Sequence, residues 1–542
     1  MPATPSARGL TGDPRAFFAL DLGAATTAAA LIGHVAGRWR LLGAVTFPAG
    51  VPVPAVLDVL VGRVTAADPE LAAALGAAGA ADRPRLTVRS TPPAGLAVVA
   101  VSERSLEAVL RAADRTGWLT RPASAERLDS IALTARLLDP DVSAVLVGAG
   151  EPAGTDERSS IGELAALVAA AATRRPDLTI VLSGAMAEQA PRFESAAEGP
   201  GEVLLAPSAA AGSPPGAPLR ELLERARARP DDSRRAFARA IGSLAETLDR
   251  RVEGIELGLD GAARVHASPG HGGEAAAVQA VVLSSAALVP PDPDEALVDR
   301  ALAWSTVRVD RHRMRDRLRD LRLHPWGGIP GDGARLRLTA ARTAVARLVG
   351  GTPELSALPP ADLLVVAGGA WAVAPGPAIA LAVADVVRRP GACQLAYDHA
   401  RLLGPIGVID DVAERRSLLA DLAGDLLLPL GSVVMPQGMR AGKAVGRLVV
   451  HGGAVSSELE LVPGGLELVD LPPGETAVAE FEFREPVRLG TRGRHFAVDV
   501  AGGLGGLLVD LRDVPLRLPD RPDRRREVLA AWQDALWTGV DA

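Results

Sequence analysis

The chain has 542 residues, of which 48% are hydrophobic, 23% charged and only 3% aromatic, with a formal net charge of −7. This length exceeds one ordinary hydrophobic core, so about two to four domains are expected, and the mild acidity argues against nucleic acid or an anionic membrane as main partner. A single cysteine, Cys393, excludes an intramolecular disulfide and a cysteine-rich metal site.

The opening stretch MPATPSARGLTGDPR lacks the basic and apolar regions of a secretory leader. No uncharged apolar run reaches the roughly 18–20 residues of a membrane span. A cytoplasmic protein is therefore expected. Apolar runs at 16–22, 27–33 and 39–46, separated by short turn signals, predict an antiparallel meander. Strands at 96–101 and 142–150 then alternate with helices at 105–117 and 160–175, and a strand at 177–185 closes an α/β pattern. Residues 188–217, rich in Gly, Pro and Ser, read as a linker or mobile loop.

Helical periodicity over 218–252 leads into GIELGLDGAARVHA at 254–267, which repeats the opening order of strand, acid, glycine, loop and strand. Helices are expected near 273–283, 310–322 and 335–350, and a buried strand at 361–374 runs into Gly368 and Gly369. From about 425, short alternating runs predict an all-β module, closed by an amphipathic helix in RRREVLAAWQDALWTGV. The resulting division is 1–187, 188–217, 218–424 and 425–542.

Three elements carry candidate chemistry. In Asp21-Leu22-Gly23-Ala24-Ala25-Thr26-Thr27, glycine admits close backbone approach, successive amides form an anion-binding concavity, and Asp21 can hold Mg²⁺ through water. A plain hairpin accounts for the same residues. Glu256-Leu257-Gly258-Leu259-Asp260-Gly261 repeats the acid and glycine without a threonine. Gly368-Gly369 after a strand suits either approach to a nucleoside or a turn needing positive φ. Their order, over about 350 residues, is that of two similar α/β halves closing on a nucleotide.

Elsewhere, the Arg/Asp-rich 308–328 reads as a solvated helix face, His312 and His324 lack metal-ligand spacing, Cys393 as a packed small residue, and Asp398 as a helix cap.

The layout resembles the superfamily of actin, the heat-shock chaperone ATPases and the sugar kinases, and within it the MutL family associated with adenosylcobalamin-dependent glutamate mutase. ALDLGAATTAAALIG resembles the family's opening strand–loop–strand, and AVLVGAGEPAGTDERSSIGELAALV with TIVLSGA its Gly-rich strand–loop–helix. LLVVAGGAWAVAPGPAIALAVADVVRRPGACQLAYDHARLLGPIGVI resembles its adenosine region, and GGLGGLLVDLRDVPLRLP its C-terminal glycine-rich strands.

The resemblance implies an α/β fold of two RNase-H-like, actin-type halves around a nucleotide, with a β-rich C-terminal module. It implies ATP and Mg²⁺ as cofactors and an accessory or reactivating role toward cobalamin-dependent mutase subunits. Asp21 and Glu256 would act on the phosphates, with Asp21 also on the metal. Gly23, Thr26, Thr27, Gly258 and Asp260 would bind phosphate, and Gly368 and Gly369 the nucleoside. Ala24, Ala25 and Ala28 stand where the family carries polar residues, and the second loop lacks its threonine. Binding through backbone amides survives these changes, whereas hydrolysis needs an oriented water and metal. Two other readings stay open: a scaffold that binds a partner without ATP turnover, and a small-molecule kinase with Asp260 as base.

Overall fold

The computed structural model describes residues 15–70, 83–90, 94–150, 155–196, 202–227, 232–270, 274–325, 332–372, 374–439, 445–452, 455–512 and 514–536. It is a mixed α/β chain with several sheets, in two compact units. One comprises Met1–Ser90, Asp231–Ala280 and Ala286–Ala542, the other Thr91–Pro230 with Val281–Ser285. The units part near residues 90 and 230.

In the first unit, β1 (Ala16–Leu22), β2 (Thr26–Val35) and β3 (Arg38–Pro48) form the expected meander, and β4 (Arg85–Arg89) adds in parallel to β1, giving the order β3-β2-β1-β4. Strand β1 is apolar at successive positions because both of its faces are covered. Phe18 and Leu20 pack with Leu57 and Leu60 of the helix Val53–Ala67 on one side. Phe17 and Ala19 join Phe237, Ile241 and Leu244 of the helix Ser233–Leu248 on the other. Burying each of these Phe, Leu and Ile side chains stabilises the fold by about 1.5–3 kcal/mol.

The second unit is a five-stranded parallel sheet in the order β6-β5-β7-β8-β9. Its strands are β5 (Gly95–Ala100), β6 (Leu119–Ser124), β7 (Val142–Ala149), β8 (Thr179–Gly184) and β9 (Val203–Ala206). Helices Glu103–Ala113 and Thr155–Arg174 lie where periodicity places them. The 188–217 stretch departs from its reading as a linker. It contains the helix Ala190–Ala196 and β9, which pairs with β8 through Leu204↔Val181, while 197–201 lie outside the described residues. The run VLLA suffices for an edge strand but is too short to register between Pro- and Gly-rich neighbours.

The chain continues with β10 (Val252–Gly258), β11 (Gly261–Ser268), β12 (Ala277–Leu283, of which residues from Val281 onward are assigned to the second unit), β13 (Leu363–Ala367), β14 (Gly391–Asp398) and β15 (Leu427–Met435). The expected helix near 273–283 is strand β12 instead. Its alanines favour helix only weakly, whereas Val278, Val281 and Val282 suit pairing beside β11. The order β12-β11-β10-β13 repeats β3-β2-β1-β4: a meander joined by a parallel strand.

β16 (Gly446–Gly452), β17 (Val455–Leu461), β19 (Thr476–Leu489) and β20 (Thr491–Ala501) make an antiparallel sheet of their own, but β18 (Leu466–Val469) and β21 (Leu507–Asp510) extend the β10 sheet beyond β15.

A buried charge network ties this end down. Arg342 and Arg512 each donate to Asp385 at 2.7 Å, Arg512 and Arg388 both donate to Asp510, and the Arg512 guanidinium lies 4.4 Å from the Trp532 ring centroid. Trp532 sits on the predicted closing helix, Pro522–Leu536. The helix Arg311–Leu323 is the solvated face expected, with Arg311, Arg315 and Arg319 paired to Glu295, Asp299 and Asp292. Among the described residues, no helix is long and apolar enough to cross a membrane.

Candidate functional site: an arginine-lined pocket where two hairpins end

Asp21 and Glu256 occupy equivalent places, each two residues before a glycine, Gly23 just past β1 and Gly258 the last residue of β10, with each strand leading into a tight hairpin. In the first hairpin the Gly23 N–H donates to the Thr26 carbonyl at 2.8 Å, so that amide is engaged within the turn. Gly23, Thr26, Glu256, Gly258, Asp260 and Gly369 line one pocket of about 420 Å³, counting space open to solvent. Asp21 stands behind it, while Thr27, buried opposite Leu22, and Gly368 lie outside its lining.

Sequence reasoning missed the three guanidiniums of Arg401, Arg234 and Arg337, which also line the pocket. Arg401 follows β14, in a turn organised by Asp398, whose carboxylate accepts from the N–H groups of Leu402 at 2.8 Å and Leu403 at 3.0 Å. The capping role expected of Asp398 is therefore present. The turn holds Arg401 at φ +57°, a conformation costly for a residue with a side chain. From there Arg401 Nε lies 3.2 Å from Asp21 Oδ2, and Nη1 donates to Thr26 Oγ1.

Arg234, in the first turn of the helix Ser233–Leu248, has its Nε 3.6 Å from Glu256 Oε2. Among the described residues, its Nε and Nη2 have no hydrogen-bond partner, and neither does Asp21 Oδ1 nor Glu256 Oε2. Arg337, on the helix Asp332–Gly350, is buried, and among the described residues its Nη2 is unpartnered and no acidic group offsets its burial. Arg322 Nη2 donates to Asp260 Oδ1 at 2.7 Å.

Gly368 has φ +101°, and a Cβ there would overlap the Leu257 backbone. Gly369 instead faces Arg401 Nη2 and Thr26 Oγ1, at 2.5 and 2.7 Å from where its Cβ would be.

Burial dominates the acid–base behaviour. It raises the Glu256 carboxyl to about 7, with Arg234 pulling it back and Asp21 adding to the rise. Burial likewise raises Asp398 to about 6, against the two backbone N–H donors, and raises Asp21 against the charges of Arg401 and Arg234. A carboxyl whose folded-state pKa is raised holds its proton more tightly folded than unfolded. Glu256 therefore costs stability as pH rises from about 4.5 to about 7, by on the order of 3 kcal/mol. The thermal midpoint of the wild type is expected to fall across this range, and Glu256→Gln to flatten much of the fall. A pH profile unchanged in the variant would remove Glu256 from this role.

These groups suit an anion better than a bare divalent ion. Asp21 already faces the Arg401 cation, and no group of three or more His, Cys, Asp or Glu among the described residues is placed to hold a metal. Unpartnered guanidinium N–H groups match phosphate oxygens in charge and geometry.

No family model and no curated protein matches the chain. Among solved structures, a nucleotide-free acetone carboxylase from work on ATP-dependent acetone carboxylation is 11% identical, with TM-score 0.28, over 72% of this chain and 69% of that one. A PilM–PilN type IV pilus biogenesis complex gives 13%, 0.23, 74% and 98%, and an Aquifex aeolicus Ppx/GppA phosphatase 8%, 0.19, 76% and 94%.

Proposed function

We propose that this chain is an actin-like accessory protein that takes up a nucleoside polyphosphate on its arginines and does not hydrolyse it efficiently. The observation that carries the reading is Arg337, a buried guanidinium that lines the pocket with no acidic partner among the described residues. A buried cation of this kind is costly unless an anion completes it. Arg401 and Arg234 extend the same surface toward the two hairpins, where phosphates would lie. Engagement of Asp21 and Thr26 by Arg401 supports binding without turnover, since neither is left to orient a metal or water. The link between Asp260 and Arg322 speaks against the kinase reading. On the resemblance of its opening, adenosine-region and C-terminal stretches to the MutL family, the partner is a cobalamin-dependent mutase, which the nucleotide-loaded form would hold or release.

Calorimetric titration with ATP, with and without Mg²⁺, tests this beside a phosphate-release assay. Binding that persists without Mg²⁺ and yields no phosphate is expected, and Arg337→Gln should weaken it by about tenfold or more. Strictly Mg²⁺-dependent binding with turnover would instead make the chain an ATPase, and absence of binding would leave a partner scaffold. Copurification with mutase subunits, compared in the presence and absence of ATP, tests the partner separately.

A further inference from the structure

A second cavity lies on one face of the β10 sheet, and none of its lining residues belongs to the arginine-lined pocket. The register explains its walls. Glu253 of β10 sits beside Leu364 of β13, Leu364 beside Leu395 of β14, and Cys393 of β14 opposite Val433 of β15. Alternate strand positions share a face, so these side chains form one floor. Val383 and Ala384 of the helix Gly376–Val386 cover it. The pocket measures about 480 Å³ with the open solvent in front of it included, and most of the lining is aliphatic.

One end is charged. Glu253 is fully buried and accepts from Arg264 Nε at 2.7 Å, and Arg389 Nη1 lies 3.4 Å from its other oxygen. Arg264 also donates to Thr352 and Ser356, each at 2.9 Å. Asp362, another acid of this region, is bound to Arg251 at 2.7 Å. Burial lowers the His266 pKa and pushes the Cys393 thiol up to about 12, so neither adds charge at neutral pH. Two guanidiniums therefore stand against the single carboxylate of Glu253. Among the described residues, Arg389 Nε and Nη1 are buried without a hydrogen-bond acceptor, while Nη2 donates to the Leu355 carbonyl; the unmet donors cost free energy until an acceptor is supplied.

We propose that this cavity binds a short-chain aliphatic carboxylate, its tail against Leu364, Val383, Leu395 and Val433 and its head on Arg389. Apolar walls with one convergent polar group are the usual make-up of a small-molecule site, and a guanidinium fork is the preferred partner of a carboxylate.

Hexanoate titrated into the intact chain tests this by calorimetry and by the alkylation rate of Cys393, the chain's single cysteine. Saturable binding is expected, with Cys393 alkylation slowed in step. Hexanol and hexylamine should bind at least about tenfold more weakly, and Arg389→Gln should lose about tenfold for hexanoate. No saturable heat with unaltered alkylation would overturn the proposal, as would equal binding of hexanol, which would mark an apolar void without anion selectivity. If Arg389→Gln does not fold, the comparison of hexanoate with hexanol on the wild type decides alone.

Discussion

Replacing Arg401 with alanine is expected to lower stability by about 3–5 kcal/mol and to abolish polyphosphate binding. The guanidinium is buried and meets Asp21 at 3.2 Å and Thr26 through Nη1. Its loss leaves Asp21 in the protein interior with one remaining cation, Arg234, and raises the Asp21 carboxyl further. Part of the cost is offset because alanine, though still strained at φ +57°, no longer holds a long side chain in place. Arg401→Gly separates that strain from the charge, since glycine accepts the conformation freely; it should be less destabilised than Arg401→Ala by about 1 kcal/mol while binding no better. The double variant Asp21→Asn, Arg401→Ala should recover much of the lost stability, because neither charge is then left alone. Urea unfolding of Arg401→Ala, Arg401→Gly, Asp21→Asn and the double variant measures these differences. A simple sum of the single effects in the double variant would mean that the two residues do not act as a pair.

Much of the scaffold was legible because its signals are local. Alternation and turn residues mark β1, β2 and β3, and the acid-x-Gly spacing at Asp21 and Glu256 marks the two hairpins. The arginines were not legible, because the pocket draws them from a turn after β14, a helix start and a helix interior, separated by up to 167 positions between Arg234 and Arg401. Two signals nevertheless point to them. Arg234 follows the cap Asp232 in the first helical turn, where the helix dipole disfavours a cation. Arg337 falls in register with the buried Ala341, Val345 and Leu348, where an apolar residue belongs. A charge placed against its local preference is a marker of a site. The partners of β18 and β21 carry no such marker: both read as short strands, and only the distant β15 completes their sheet.

The glycine pair after β13 separates structural from binding roles, and adjacent substitutions should show it. Gly368→Ala is expected to cost about 3–5 kcal/mol. Its φ of +101° and ψ of 160° lie in a region reserved for glycine, and the new Cβ would sit 2.8 Å from Leu257 C and N, atoms of β10 that cannot turn aside. Gly369→Ala meets only side-chain ends, Arg401 Nη2 and Thr26 Oγ1, which can shift at a cost of about 1 kcal/mol. That shift displaces the Arg401 guanidinium from the pocket, so ATP binding should weaken about tenfold although the fold persists. Urea unfolding and ATP calorimetry on both variants distinguish the roles. Loss of binding in Gly369→Ala with near-normal stability, beside a severely destabilised Gly368→Ala, fits an arginine-based pocket next to a backbone contact of β10. Unchanged ATP binding in Gly369→Ala would place the phosphates away from Arg401, and a stable Gly368→Ala would mean that β10 and the turn after β13 do not approach as closely as their backbones do here.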